Sequence, residues 1–544
     1  MTSLRGTGAL ARLVLRRDRV LLPIWVYVVG ILPVSFAVTF ADLYPTPADR
    51  ARFAATSAHN GAFTALYGRL SGSSLGELVT WRGGFIPVVI GLISLLAVIR
   101  HTRTEEEAGR RELVGSTVVG RQAGLAAALA VVFAANLGTA LLTAVALSLR
   151  GLPVAGSVAV GLEWAAAGWI FAGVGAVAAQ LTTSAGAARG IGVAVLAASY
   201  AARILGDRGG SATPGGAGGA LEWLSWVSPI GLLQRVHPFA GPSGARHWWV
   251  FAVIAGIVAG LVAVATALSA RRDLGAGLLP DRLGPATARP AFGSPLALAW
   301  RLHRGLLAGW VAGFALLGVV FGGVASGVTD LVGDNPGLRD VFTRLGGRAE
   351  LVSSYLASIM SLLGMIAAGY AIQAVLRLRA EEASGRAEPV LTTAVGRLRW
   401  ATSHLVFAVL GPALAMLVAG AVTGLVYGAS SGDIGHETAR GVSSAGVQLP
   451  AVAVLAALAL ALFGLVPRLW PVSWAALAAC LLIGLVGSGL NLSHWLLDVS
   501  PFTHATRPPG GSVTAVPLAV LCVLAVALGA AGLAGLRRRD IPVA

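Results

Sequence analysis

Runs of about twenty apolar residues, parted by short stretches rich in arginine, glycine and proline, recur along the whole chain. That is the length an α-helix needs to cross the hydrocarbon core of a bilayer. The pattern predicts six spans near 20–40, 85–99, 124–147, 158–181, 185–205 and 248–268. It predicts six more near 305–328, 351–376, 400–427, 449–466, 472–490 and 516–536. A transmembrane barrel would instead show alternating segments of about ten residues. The expected fold class is an all-α polytopic membrane protein of about twelve transmembrane helices.

The polar stretches between the spans repeat. LVLRRDRVLLPIWV, from Leu13, matches LAWRLHRGLLAGWV, from Leu298, and aligns Arg16 with Arg301, Arg19 with Arg304 and Trp25 with Trp310. NGAFTALYGRL from Asn60 matches NPGLRDVFTRL from Asn335. RTEEEAGRRELVGSTVVGR from Arg103 matches RAEEASGRAEPVLTTAVGR from Arg379, and WLSWVSPIG from Trp223 matches WLLDVSPFT from Trp495. The four offsets, 285, 275, 276 and 272, drift only as loop lengths do. Two homologous six-helix halves of one membrane orientation follow, related by an axis along the membrane normal. The first half, with an N-terminal interfacial helix, covers 1–270. A Gly/Pro/Arg-rich cytoplasmic linker covers 271–296, and the second half covers 297–544.

Composition agrees with this picture and narrows the chemistry. The chain is 56% hydrophobic and 12% charged, about half the charged fraction of a soluble domain. Its net charge of +16 rests on 40 arginines and no lysine. They lie in short loops, 26 on one side of the predicted membrane and 14 on the other, which sets both termini in the cytoplasm and leaves no call for a nucleic-acid partner. Without lysine there is no P-loop, whose lysine holds the β- and γ-phosphates. Cys480 and Cys522 fall in apolar runs, so no disulfide framework or zinc site is indicated. The first apolar run is too long for a signal peptide and reads as a retained span.

Five features could carry function. The doubled charged segment lies between the second and third spans of each half. Arg103, Glu105, Glu106, Gly109, Arg110, Glu112, Gly120 and Arg121 recur as Arg379, Glu381, Glu382, Gly385, Arg386, Glu388, Gly396 and Arg397. Glu106 and Arg110, like Glu382 and Arg386, are four apart, a spacing that favours a short helix able to present charge to a soluble partner. Topology alone requires the arginines but not the paired carboxylates. LARLVLRRDRV from Leu10, with its counterpart before span seven, suits an interfacial helix. The WLSWVSP and WLLDVSP stretches place Trp223, Ser228 and Pro229, and Trp495, Ser500 and Pro501, at the outer rim, as a gate or as an aromatic anchor with a turn. Glu163 is the main acidic residue inside an apolar run, fewer than an ion-coupled carrier needs. Asp433, His436 and Glu437 form a DIGHE cluster expected in a solvated outer loop.

In order and duplication, these features resemble the permease subunits of type-2, type V-fold ABC exporters. The fused twelve-span form is similar to the actinobacterial permeases for polyketide antibiotics of the tetronasin type. The resemblance covers nearly the whole chain. It implies a separate ABC ATPase, in two copies, with ATP and Mg bound there and no cofactor, metal or catalytic residue in this chain. It implies docking of one ATPase on 103–112 and another on 379–388 as coupling helices, and export of an amphiphilic small molecule through a cleft between the halves. It also implies a multi-pass protein of the plasma membrane. Pro389 departs from the first copy and would shorten the second helix. An ion-coupled major-facilitator-type efflux carrier also has twelve spans in two parallel halves. Against it stand the long first outer loop, the interfacial entry helices and the scarcity of intramembrane carboxylates. A membrane-embedded lipid or glycan transferase would need convergent outer-face acids or bases, for which DIGHE is too slight.

Overall fold

The computed structural model describes residues 3–58, 61–209, 221–239, 246–279, 287, 293–333, 348–486, 494–505 and 515–540. The repeat from Asn335, residues 210–220 and, within the linker, residues 280–286 and 288–292 lie outside the described residues. Among the described residues the fold is helical without strands, and twelve helices are long and apolar enough to cross a membrane. The chain divides into two compact units, Met1–Gly284 and Pro285–Ala544.

In the first unit the spans are Leu21–Leu43, Ile86–His101, Ala123–Leu149, Val154–Leu181, Ala185–Gly209 and Trp249–Arg271. Span four is the most enclosed, packed against spans two, three and six. Its small residues permit this: a Cβ on Gly161 would stand 2.4 Å from the carbonyl oxygen of Ala140 on span three. Close backbone approach through small residues is how helices associate where lipid supplies no hydrophobic drive.

In the second unit the spans are Pro295–Gly333, Arg348–Val375, Arg397–Ser431, Leu449–Leu465, Pro471–Val486 and Ala515–Arg538. Spans seven and nine pack together, as do spans ten and twelve. The latter pair meets through glycine on both sides, Gly464 against Gly532 and Gly535.

Two expectations need correction. The entry segment of the first unit is a separate helix, Thr7–Arg17, but its counterpart runs without a break into span seven. The difference sits at aligned positions. Asp18 ends the first helix and turns to His101 and Arg100 at the base of span two. His303, in its place, stays helical and pairs with His404 of span nine at 3.0 Å. The DIGHE stretch is not a loop. Asp433 accepts a hydrogen bond from the His436 N–H at 3.0 Å and caps the helix Ile434–Val447, which leads into span ten. Glu437 is engaged by Arg440 on that helix.

Candidate functional site

The two charged segments fold alike. Each leaves its span in a short helix, Arg103–Glu107 or Arg377–Ala383, turns at a glycine, and forms a second short helix, Arg110–Gly115 or Glu388–Leu391. Gly109 and Gly385 occupy the left-handed region at φ 69° and 70°, where a side chain would be strained. The turn breaks the expected pairing four residues apart. Arg110 instead reaches back five residues and grips Glu105 with two nitrogens, at 2.7 and 2.9 Å. Arg386 grips Glu381 at 2.9 Å in the same way. Glu105 also holds Arg17 of the entry helix, and Glu381 holds Arg377 at 2.8 Å. Pro389 leaves the second copy's outer helix at four residues against six.

The second glutamate of each doublet is buried. Glu106 accepts from Arg103 at 2.6 Å, from Arg272 at 2.8 Å and from Arg111. Arg103 is fully enclosed and also donates to the carbonyls of Thr183, Gly275 and Ala276. Arg272, just past span six, donates to Gln180 at the end of span four at 2.7 Å. Burial lowers the Arg111 guanidinium pKa from its ordinary value, with Glu106 opposing the shift.

In the second unit both oxygens of Glu382 take Arg539, just past span twelve, at 2.7 Å. The equivalence extends further: Arg121 donates to the Arg272 carbonyl, and Arg397 donates to the Arg539 carbonyl at 2.7 Å. Each unit therefore ties its charged segment and its third span to the end of its sixth through one buried glutamate and two arginines. The sequence reading missed Arg272 and Arg539 as partners. Their signal was the tripeptide RRD, at Arg271 and again at Arg538.

What the segments turn outward is different. Arg110, Glu112 and Leu113 are exposed in the first unit, as are Arg386, Glu388 and Pro389 in the second. Arg379 lies over the Trp470 ring at 4.5 Å.

The SP stretches are also placed. Ser228 caps the short helix Pro229–Gln234, accepting from Gly231 at 3.1 Å and donating to the Ser199 carbonyl of span five at 2.6 Å. Trp223 is exposed nearby, and Trp226 stacks on Trp249 beneath the Arg235 guanidinium. Ser500 is buried beside Pro501, with Trp495 exposed. Glu163 is buried well inside span four, and its Oε2 has no hydrogen-bond partner among the described residues. No group of three His, Cys, Asp or Glu able to hold a metal ion occurs among them.

Two comparisons bear on this arrangement. Residues 292–537 match the family model described as multidrug efflux system permease Rv1217c, C-terminal domain. The chain is 42% identical over 537 residues, covering 98% of its own length and 95% of the relative's, to the multidrug efflux system permease protein Rv1217c of Mycobacterium tuberculosis (strain ATCC 25618 / H37Rv).

Proposed function

Because this chain belongs to the family of that multidrug efflux system permease, we propose that it is the membrane-spanning subunit of an ATP-driven exporter of amphiphilic, drug-like compounds. The likeness to an efflux permease over nearly the full length carries the reading. ATP and Mg would be bound by a separate ABC ATPase in two copies, since a chain without lysine has no P-loop of its own. The protein would reside in the cell membrane with both termini in the cytoplasm, the side favoured by its arginines.

The docking surfaces would be the outward faces of 103–112 and 379–388. Their duplication, the shared glycine turn and the exposed Arg110, Glu112 and Leu113 support this. The buried glutamates would serve it indirectly, by holding each segment against the end of a span so that a push on the surface reaches the helices.

Charge reversal at Glu106 or Glu382 would break the protein's interior and does not test docking. The informative variant is Glu112→Arg combined with Glu388→Arg, both exposed. Expected are normal yield and melting temperature, ATPase-subunit binding weakened about tenfold, and loss of ATP-driven efflux. Unchanged ATPase binding and efflux would remove the docking assignment. Efflux driven by a proton gradient without ATP would remove the exporter reading.

A further inference from the structure

The junction of the first unit holds more positive charge than its carboxylates answer. Three guanidiniums, of Arg103, Arg111 and Arg272, converge on the single carboxylate of Glu106. In the second unit Glu382 takes Arg539 alone among the described residues. Arg103 and Arg272 are at most 5% exposed and Arg111 is 15% exposed, so water screens this excess weakly.

Beside the three lies a cavity of about 680 Å3. Four arginines line it, Arg17, Arg110, Arg111 and Arg121, with His101 and two acidic residues, Glu105 and Asp273. Its other wall is apolar. Leu10, Leu13 and Val14 come from the entry helix, and Val114 and Val119 from the charged segment. Leu13 is more than half exposed, so the apolar wall continues out of the cavity onto the surface.

A free inorganic anion would answer the charge but not the apolar wall, and an apolar compound would answer only the wall. An anionic amphiphile answers both. The entry helix carries arginine and leucine as interfacial helices do, which places the cavity at headgroup level. Basic pockets at that level bind anionic headgroups.

We propose that this cavity is a binding site for a phospholipid with an anionic headgroup, its phosphate between Arg17 and Arg121 and its acyl chains leaving past Leu10 and Leu13. The phosphate adds negative charge beside the Glu106 cluster, whose Arg111 stands on the same cavity wall. The first unit is therefore stabilised by anionic lipid at this cavity. The site does not depend on ATP-driven export, and it is tested on the isolated permease.

The full chain, purified in neutral detergent, is titrated with phosphatidylglycerol, phosphatidylcholine or inorganic phosphate. Retained lipid is counted by native mass spectrometry and stability is read by thermal melting. Phosphatidylglycerol is expected to stay bound and raise the melting temperature, while phosphatidylcholine and phosphate do neither. Arg17→Gln with Arg121→Gln is expected to weaken phosphatidylglycerol binding about fivefold for each arginine removed. Val14→Trp, which narrows the cavity along its apolar wall and keeps every charge, is expected to reduce the retained lipid and covers the case in which the arginine variant folds poorly. Equal retention of the two lipids, or of phosphatidylglycerol by wild type and Val14→Trp, would overturn the proposal. Stabilisation by inorganic phosphate equal to that by phosphatidylglycerol would assign the site to a free anion and overturn the lipid reading.

Discussion

Glu106→Gln is expected to destabilise the first unit by about 3–5 kcal/mol and to lower its melting temperature by roughly 5–10 °C. Shape is kept and one negative charge is lost, in a place where three guanidiniums depend on it. Two of them are almost entirely out of water, so their repulsion is no longer offset and solvent cannot replace the partner. The neighbouring Glu105→Gln makes the control. Its arginines, Arg17 and Arg110, are 42% and 50% exposed, and exposed pairs contribute about 0–1 kcal/mol. A double variant, Glu106→Gln with Arg111→Gln, removes one of the three stranded cations and should recover part of the loss. The measurement is thermal melting of the purified permease without any ATPase present. Equal effects of Glu105→Gln and Glu106→Gln would show that the buried cluster is not what holds this junction.

The contrast between these neighbouring glutamates marks where the sequence was legible and where it was not. Hydropathy located all twelve spans, because a run long enough to cross a bilayer is a local property of the chain. The glycine turn was visible as an aligned Gly109 and Gly385, but its effect on pairing was not: a left-handed residue redirects Arg110 from Glu106 to Glu105. Glu106 has Arg103 and Arg111 close by in the chain, but its third partner, Arg272, lies 166 residues away and Arg539, the partner of Glu382, lies 157 away, beyond any periodicity. Only the repeated RRD at the ends of spans six and twelve pointed to them, and it was absorbed into the count of topogenic arginines. DIGHE was misplaced for a similar reason. Polar residues suggested a loop, but an aspartate that caps and small residues that pack make a helix there.

The same distant pairing makes a glycine in the bilayer matter to the charged surface. Gly464→Val is expected to cost about 3 kcal/mol, since a Cβ there would stand 2.0 Å from the Gly532 carbonyl oxygen, with no side chain able to give way. Gly532 and Gly535 are in turn blocked by the backbone of span ten, so the two helices must part. Span twelve is followed at its end by Arg539, whose guanidinium lies over Phe463 at 4.4 Å and donates to both oxygens of Glu382 at 2.7 Å. Parting the helices therefore loosens the clamp that holds 379–388. Glu382→Gln should cost about 3 kcal/mol in the wild-type background and less than half of that in Gly464→Val, because the pair it removes is already weakened. Strict additivity of the two substitutions, measured by melting in a double-mutant cycle, would mean that the helix contact and the charged segment are independent. Non-additivity would trace a continuous mechanical path from the packing of spans ten and twelve to the surface on which a motor subunit would act.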